Sequence, residues 1–397
     1  MIGGVILAAG YSSRMGDFKP LLPVAGVPAL RRSIECLSAA GAAVTVVTGH
    51  RHEALAPLIK ACGAEELYNP DYDAGMFTSV LAGVGYFASL GAEGVLLLPC
   101  DCAAVPKEAV RQLIACAGNK GEYALPTYGE HNGHPLWIPA RYFDEILHYD
   151  GPGGLKGARS LHADTLLRLP MPWEGTVLDM DTPEDYAALC AYAADDGLAE
   201  RVKNRRFFLV RHGATELHSG KVVMGKYDAH LSDIGKAQMR SAGEALAGYP
   251  IEAKALYHSP LRRARDSAAL VNRSLRLPAV EIADFSEISL GAWDGRLIAD
   301  VQREFPEEYA RRGEYLMSYR YDEDSESFYM VQYRVRKALN EILKADDSRD
   351  ILIVTHAGVI KCLYGLLHGR DIDWAFPVCR PEKGEITVVE TGTGMNR

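Results

Sequence analysis

The sequence predicts two α/β domains in one chain, and three observations support this prediction. The chain has 397 residues, which is long for a single hydrophobic core and suits two domains of ordinary size. Apolar strand-like runs alternate with helical stretches along the whole chain, a pattern typical of βαβ units with largely parallel sheets. A buried strand runs into a polar loop twice, at residues 3–19 and 207–215. Ligands of open α/β sheets bind at that end of the strands, so we expect two active sites.

Short runs rich in Val, Ile, Leu and Phe predict strands, and longer amphipathic stretches between them predict helices. In the first half the predicted strands are 3–8, 43–48, 94–99, 122–126 and 175–179. The predicted helices there are 28–40, 51–61, 78–89, 106–116, 140–147 and 182–193. In the second half the predicted strands are 206–210, 253–257, 279–282, 350–355 and 384–390, and the predicted helices are 233–247, 261–275, 326–345 and 357–367. A charged connector separates the halves, which predicts domains at 1–193 and 206–397 with a linker at 194–205.

Composition narrows the class of protein and its partners. A net charge of −9 argues against a nucleic-acid partner, because such affinity rests on basic surface. The eight cysteines are scattered without a CxxC pair, the usual pattern of a reducing cytoplasm, and the first residues lack a basic signal-peptide region. Residues 74–92 carry no charge but include four glycines, so we expect no membrane span. Small phosphorylated molecules are the expected partners, and the sequence does not indicate an oligomeric state.

The first strand ends in a loop of small residues that carries two cations. The residues concerned are Leu7, Ala8, Ala9, Gly10, Arg14 and Lys19. Small residues let backbone N–H groups approach a triphosphate, and the cations neutralise its charge. Residues 7–23 resemble the signature loop of the MobA-like nucleotidyltransferases, and further matches extend over nearly all of residues 1–190. The resemblance implies a three-layer α/β/α, Rossmann-like domain that uses Mg²⁺.

Further segments of the first half fit the same family. Residues 69–80 look like its segment around the base and ribose, which implies nucleotide contacts from Asn69, Gly75 and Ser79. Asp101 follows a buried strand and faces the phosphate loop, where a carboxylate can hold Mg²⁺. Residues 179–185 resemble the family's second carboxylate site, which implies Asp181 as the second metal ligand, with Asp179 in reserve. The alternative role for this segment is a helix N-cap at Asp181 or Thr182.

Two features concern the nucleotide and the acceptor. Gly133-His134-Pro135 resembles a substrate-side element of the molybdenum-cofactor cytidylyltransferase branch, which implies that His134 binds substrate. Ala8-Ala9-Gly10 resembles the loop of cytidylyl-transferring members of the family. This resemblance favours CTP over GTP as the nucleotide and molybdopterin as the acceptor. One departure from the family is Ala103, where a Pro is usual two positions after the Asp.

The second half resembles the histidine phosphatase (phosphoglycerate mutase-like) superfamily over about residues 206–390. The elements appear in order, from Arg211-His212-Gly213 through 259–264 and 285–295 to Val354-Thr355-His356-Ala357-Gly358. The resemblance implies a three-layer α/β/α fold and five site residues: Arg211, His212, Arg263, Glu287 and His356. It also suggests a polar phosphate contact from His218. The segment around Trp293 and the short stretch between Glu287 and His356 favour a phosphatase over a mutase.

The chemistry requires these residue types. A neutral His212 is a good nucleophile towards phosphorus near neutral pH. Arg211, Arg263 and His356 would bind the phosphoryl oxygens, and Glu287 would protonate the leaving oxygen and then activate water. We expect no metal requirement in this half.

The sequence therefore predicts a bifunctional enzyme. The first domain would transfer a nucleotidyl group, CMP from CTP, to a phosphorylated acceptor, molybdopterin, and the second would hydrolyse phosphomonoesters through a phosphohistidine. One alternative is cobalamin nucleotide-loop assembly, with a nucleotidyltransferase joined to a ribazole phosphatase. Another is that one domain is an inactive sensor of phosphorylated ligands that regulates the other.

Overall fold

The computed structural model describes residues 1–12, 15–217 and 221–392. It divides into two compact units, Met1–Asp195 and Asp196–Arg397. The division falls inside the segment 194–205, which the sequence predicts as a linker. Part of this segment forms helix α8, Leu198–Val202, in the second unit.

The first unit is built on a mixed sheet. The strands of this sheet are β1 Ile2–Ala8, β4 Ala43–Thr48, β5 Glu65–Tyr68, β6 Gly94–Pro99, β7 Ala124–Tyr128, β8 His131–Asn132, β9 Leu136–Pro139 and β10 Leu167–Pro170. Strands β2 Pro23–Val24 and β3 Val27–Pro28 form a separate two-stranded hairpin. The sheet order is β10-β7-β9-β6-β1-β4-β5, with β8 paired to β7. The central strand β1 runs parallel to both neighbours, with Val5 opposite Thr45 and Leu97. The carboxyl ends of β1, β4 and β6 therefore lie side by side.

Helices cover this sheet with their apolar faces. They are α1 Ala29–Ala39, α2 His52–Ala61, α3 Met76–Ser89, α4 Lys107–Ala117, α5 Phe143–Leu147, α6 Gly154–Ser160 and α7 Pro183–Ala193. In α3 the residues Val80, Val84 and Phe87 recur at helical spacing and are buried in the core. A Cβ on Gly83 would lie 2.5 Å from Val5 Cγ1, so a glycine there lets α3 pack closely on β1.

The second unit has a five-stranded sheet among the described residues. Its strands are β11 Arg206–Arg211, β12 Leu256–His258, β13 Ala279–Glu281, β14 Asp350–Thr355 and β15 Ile386–Glu390, in the order β13-β12-β14-β11-β15. Strand β11 is parallel to β14, with Arg211 opposite Thr355. The residues that follow each strand, His212 and His356, are therefore brought together at the carboxyl edge.

The helices of the second unit bury that sheet on both faces. Besides α8 they are α9 Asp233–Ala247, α10 Arg262–Leu275, α11 Ile298–Glu304, α12 Pro306–Glu314, α13 Phe328–Ala345, α14 Ala357–Leu367 and α15 Ile372–Val378. Phe208, Val210, Leu352 and Val354 form the core beneath α9 and α10. Three-layer α/β/α architecture is thus present in both units, as the sequence predicts.

Two parts of the sequence-based assignment differ from the structure. The predicted strand 175–179 is wrong, because Glu174–Thr176 forms a 3₁₀ turn. Gly175 there packs against the Ala104 carbonyl so closely that a Cβ would lie 2.3 Å from its oxygen. Strands β2, β3, β5, β8, β9 and β10 and helices α6, α11, α12 and α15 are additional to the prediction. All eight cysteines are free thiols, and among the described residues there is no helix with the length and apolar character needed to cross a membrane.

Candidate functional sites

A cavity of ≈ 210 Å³ opens at the carboxyl edge of the first unit's sheet. Its lining includes Leu7, Ala8, Ala9, Gly10, Ser12, Lys19, Tyr72, Ser79 and Asp101. The loop after β1 is held against its neighbours by backbone bonds from His50 N to Ala9 O, 3.1 Å, and from Cys100 N to Leu7 O, 3.1 Å. Since Lys19 N also donates to Ser12 Oγ at 3.1 Å, the two ends of the loop face one cavity.

Lys19 joins the two carboxylates that the sequence analysis assigns to a metal. Its Nζ lies 3.1 Å from Asp101 Oδ2 and 2.6 Å from Asp181 Oδ1. Burial acts to lower the pKa of Lys19, but the hydrogen bonds and negative charges of Asp181 and Asp101 outweigh it and raise that pKa. The ammonium is therefore charged at neutral pH and is bound by both carboxylates.

The two carboxylates also fit a divalent cation. Both oxygens reach the same nitrogen atom, so both can reach a single ion in that region. The described residues contain no cluster of three or more His, Cys, Asp or Glu side chains arranged for a metal. Mg²⁺ commonly binds one or two carboxylates and completes its shell with water and substrate phosphate, which is the donor set that Asp101 and Asp181 offer.

In the segment before α7, the residue that caps the helix and the residue proposed as a metal ligand are different. Thr182 is the N-cap, and it forms a capping box in which its hydroxyl accepts from Asp185 N and the Asp185 carboxylate accepts from Thr182 N. Asp181 instead directs its side chain to Lys19. Asp179 accepts a hydrogen bond from Asp181 N at 3.3 Å, and burial, together with neighbouring carboxylates, raises the pKa of Asp179.

Asn69, Gly75 and Ser79 shape the start of α3, which borders the cavity. Asn69 Nδ2 donates to Thr78 Oγ1 at 2.9 Å and to Ser79 Oγ at 3.0 Å. Gly75 is the N-cap of α3 with φ +113°, a conformation that favours glycine. Of the three, Ser79 lines the cavity, and Asn69 lies buried behind it.

His134 lies outside the cavity lining. A Cβ on Gly133 would be 2.5 Å from Thr176 O, and His134 N donates to that same oxygen at 2.8 Å. The ring atom Nδ1 is buried without a hydrogen-bond partner among the described residues. Burial lowers the pKa of His134, and the charge of Asp101 acts in the opposite direction. Arg14 lies outside the described residues.

The second unit places two neutral histidines at the carboxyl edge of its sheet. The rings of His212 and His356 are 5.2 Å apart between centroids. Burial is the main cause that lowers the pKa of both residues well below the ordinary value, and the positive charge of Arg263 adds to it. His212 Nδ1 donates to Gly213 O at 2.8 Å, which leaves the Nε2 lone pair for a nucleophilic attack.

Gly213 lets the chain turn sharply after β11. A Cβ at this position would lie 2.4 Å from Gly235 O, so the loop and the start of α9 touch through backbone alone. Gly213 N donates to Ser267 Oγ at 3.2 Å. This turn allows Arg211 and His212, which alternate in direction along the strand, to serve one site.

Buried nitrogen atoms without partners surround the histidines. Arg263 donates through Nη1 to Tyr227 O, 2.5 Å, and through Nη2 to Gly225 O, 2.8 Å, and Arg211 Nη1 donates to Pro381 O, 2.9 Å. Within the described residues, Arg211 Nε, Arg263 Nε and His356 Nδ1 have no hydrogen-bond partner. Buried donors without partners are costly, and phosphoryl oxygens would satisfy them.

Ser259 and Glu287 complete the surroundings of His356. Ser259 Oγ lies 2.7 Å from His356 Nε2 and accepts from Leu261 N, so its hydroxyl hydrogen can point at the ring. The Glu287 carboxylate accepts from Ile288 N, 3.0 Å, and from Gly358 N, 3.1 Å. Glu287 is mostly buried, so backbone bonds hold a carboxyl group beside the histidine pair.

Comparisons with known proteins agree with this division. Residues 4–168 match the model of the MobA-like NTP transferase domain, and residues 207–397 match that of the histidine phosphatase superfamily, branch 1. The chain joins a MobA-like NTP transferase domain to a histidine phosphatase domain. Both are enzyme families.

Three similar proteins each match less than half of the chain. Phosphoserine phosphatase 1 of Hydrogenobacter thermophilus is 27% identical over 173 residues, which are 43% of this chain and 81% of that protein. A bifunctional IPC transferase and DIPP synthase of Rubrobacter xylanophilus is 38% identical over 125 residues, which are 30% of this chain and 28% of that protein. A solved mycobacterial glucosyl-3-phosphoglycerate phosphatase is 24% identical and covers 46% of this chain and 89% of its own, with a TM-score of 0.42.

The structure brings most of the residues singled out from the sequence into two groups. In the transferase domain Leu7 to Gly10, Lys19, Ser79 and Asp101 line the cavity, and Asp181 reaches it through its bond to Lys19. Asn69, Gly75 and His134 are not part of the cavity lining. In the phosphatase domain Arg211, His212, Arg263, Glu287 and His356 surround one site. His218 lies outside the described residues.

Sequence reasoning missed three residues of the phosphatase domain that support or border the site. Ser259 stands in a recognised motif, but its bond to His356 depends on the pairing of β12 with β14. Arg334 lies on α13 and donates to Glu287 O at 3.3 Å. Lys383 lies on the loop before β15, and no motif marks either of these two residues.

Proposed function

We propose that the transferase domain moves a nucleotidyl group from an NTP, with CTP favoured, to a phosphorylated acceptor, with molybdopterin favoured. The observation that supports this most is that Lys19, which lines the cavity together with Asp101, binds the carboxylates of both Asp101 and Asp181. The acceptor's phosphate oxygen would attack the α-phosphorus, the bond to the β-phosphate would break, and pyrophosphate would leave. Such transfers depend on positioning and charge neutralisation.

The residues of the cavity have distinct tasks in this reaction. Lys19 would bind the phosphate chain and offset the negative charge of the leaving pyrophosphate. Backbone N–H groups of the loop after β1 would orient the triphosphate. Asp101 and Asp181 would hold Mg²⁺, which supplies further positive charge to the phosphates when it is bound.

Thermal stabilisation tests the nucleotide assignment directly. The His212→Ala protein, in which the second domain cannot consume the ligand, is heated with CTP, GTP, ATP or UTP, each with Mg²⁺. A nucleotide at about a hundredfold over its Kd stabilises the folded domain by roughly 2.7 kcal/mol. We expect CTP to stabilise the protein more than the other nucleotides do. This stabilisation should be lost in Lys19→Ala and kept in Lys60→Ala, which replaces an exposed lysine of α2. A preference for GTP would contradict the cytidylyl assignment.

We propose that the phosphatase domain hydrolyses phosphomonoesters through a phosphohistidine. His212 Nε2 would attack phosphorus, the ester P–O bond would break, and Glu287 would donate a proton to the leaving oxygen. Glu287 would then take a proton from water as the water attacks the phosphohistidine. The P–N bond would break, which releases phosphate and restores neutral His212. Arg211, Arg263 and His356 would bind the phosphoryl oxygens throughout.

Hydrolysis of p-nitrophenyl phosphate and phosphoserine tests this proposal. Phosphoserine is included because a relative is named for acting on it. We expect His212→Asn to lower kcat by at least about 10³-fold, because loss of a nucleophile leaves only the binding groups. His148→Asn, a histidine that is 77% exposed, is the matched control and should keep the wild-type rate. Equal activity in both variants would contradict the assignment.

A further inference from the structure

The loop Pro381–Glu385, here called the Lys383 loop, is bonded to Arg211 at three points. Arg211 Nη1 donates to Pro381 O at 2.9 Å, Gly384 N donates to Arg211 O at 3.1 Å, and Arg211 N donates to Glu385 O at 3.1 Å. Gly384 has φ +81°, and a Cβ there would lie 2.8 Å from Gln238 Cβ. The loop therefore holds Lys383 next to a phosphate-binding arginine.

Lys383 is half-buried, and in the described part of the chain its ammonium has neither a hydrogen bond nor an ion pair. A nearby carboxylate is engaged elsewhere, since Glu385 accepts a hydrogen bond from Glu382 N. Burial lowers the pKa of Lys383, and the positive charges of Arg211 and Arg263 lower it further. The charge of Lys383 in turn contributes to the low pKa of His212.

Arg211 and Arg263 supply the donors for a phosphoryl group, and Lys383 is therefore a third cation at the phosphatase site. A partly buried charge without a partner is unfavourable, and this one lies close to the arginines rather than out in solvent. We propose that Lys383 forms a subsite for a second anionic group of the substrate. The substrate class would then be phosphomonoesters that carry a carboxylate or a further phosphate near the ester. This inference rests on the proposed phosphatase function.

Competitive inhibition of p-nitrophenyl phosphate hydrolysis tests the subsite with a matched pair of ligands. The two ligands are 3-phosphoglycerate, which carries a carboxylate, and glycerol 3-phosphate, which carries an alcohol group in its place. The inhibition constant of each is measured for the wild type, Lys383→Met and Lys383→Arg. We expect wild type to bind 3-phosphoglycerate about tenfold more tightly than glycerol 3-phosphate, the usual effect of one charge-assisted bond. Lys383→Met should remove that difference and Lys383→Arg should retain most of it.

The other possible results of these measurements would contradict either the subsite or the phosphatase function. If Lys383→Met weakens both ligands equally, Lys383 contacts the phosphoryl group or supports Arg211, and the second-anion subsite is wrong. If neither ligand is affected, Lys383 does not bind substrate. A wild-type protein that hydrolyses p-nitrophenyl phosphate only as fast as His212→Asn would instead overturn the phosphatase function itself. Thermal unfolding of the Lys383 variants verifies that the loop substitution leaves the fold intact.

Discussion

Glu326→Gln should destabilise the phosphatase domain because it breaks an ion pair that supports Glu287, the proposed catalytic acid. Arg334 binds the Glu326 carboxylate through two bonds, 2.8 Å from Nε to Oε1 and 3.0 Å from Nη2 to Oε2. The same guanidinium donates to Asp284 O and Glu287 O, and Glu326 Oε2 accepts from Ser289 N at 2.9 Å. The pair therefore holds both ends of the segment that carries Glu287.

The magnitude follows from burial. The side chains of Glu326 and Arg334 are 13% and 16% exposed, and removing one charge of a buried pair costs about 3 kcal/mol. For a domain of this size such a loss lowers Tm by roughly 6–12 °C. The control is Glu341→Gln, which breaks the pair of Glu341 with Lys344, whose side chains are 63% and 47% exposed. Exposed helical pairs contribute little to stability because solvent screens them, so Tm should change by no more than about 1–2 °C.

Thermal unfolding followed by circular dichroism provides the assay, at pH 7 and at lower pH. Burial acts to raise the pKa of Glu326, but the hydrogen bonds and charge of Arg334 outweigh it and lower that pKa. The pair therefore stabilises the fold at neutral pH, and this contribution is lost as the pH falls below the ordinary glutamate value of about 4.3. Equal Tm shifts for the two Gln variants at pH 7 would refute the supporting role assigned to the pair.

Two further predictions concern the same domain. His212 and His356 stay neutral when folded but bind protons near pH 6.5 when unfolded, so thermal melts should show stability falling as the pH drops from about 7 to 5.5, more steeply than in His212→Asn. Equal slopes would contradict the neutral pair. Gly358→Ala places a Cβ 2.4 Å from Glu287 Oε1 and should lower kcat on p-nitrophenyl phosphate by about 100-fold. Gly313→Ala, with no atom within 4 Å of the new Cβ, should keep the wild-type rate.

Much of the fold could be predicted because the central strands are continuous apolar runs. Residues 43–48 and 94–99 are strands at those bounds, since parallel strands covered on both faces lack an alternating pattern. The strand Leu136–Pro139 escaped prediction because it is only four residues long, follows Pro135 and itself ends in a proline. Its pairing with β6 is antiparallel. The apolar stretch after Gly175 misled the assignment, because its burial comes from loop packing and not from a ladder of strand hydrogen bonds.

The candidate sites also contain features that the sequence predicts and features that only the folded chain shows. The two strand-end histidines follow from sequence, because any pair of parallel strands brings its carboxyl ends to one edge. The bridge from Lys19 to Asp101 and Asp181 joins residues more than 80 positions apart, so only the folded chain shows that one ammonium meets both carboxylates. Ser259 acts through a hydrogen bond that depends on strand order, which local sequence does not encode.

Trapping the covalent intermediate tests the central claim about the phosphatase domain most directly. The wild type and Glu287→Gln are mixed with p-nitrophenyl phosphate and quenched with alkali, which preserves phosphohistidine, and the peptides are sequenced by mass spectrometry. Because p-nitrophenolate needs little protonation to leave, loss of Glu287 should slow hydrolysis of the intermediate more than its formation. We expect phosphate on His212, with more of it in Glu287→Gln than in wild type. Phosphate on another residue, or turnover with no phosphate on His212 in either protein, would contradict the account.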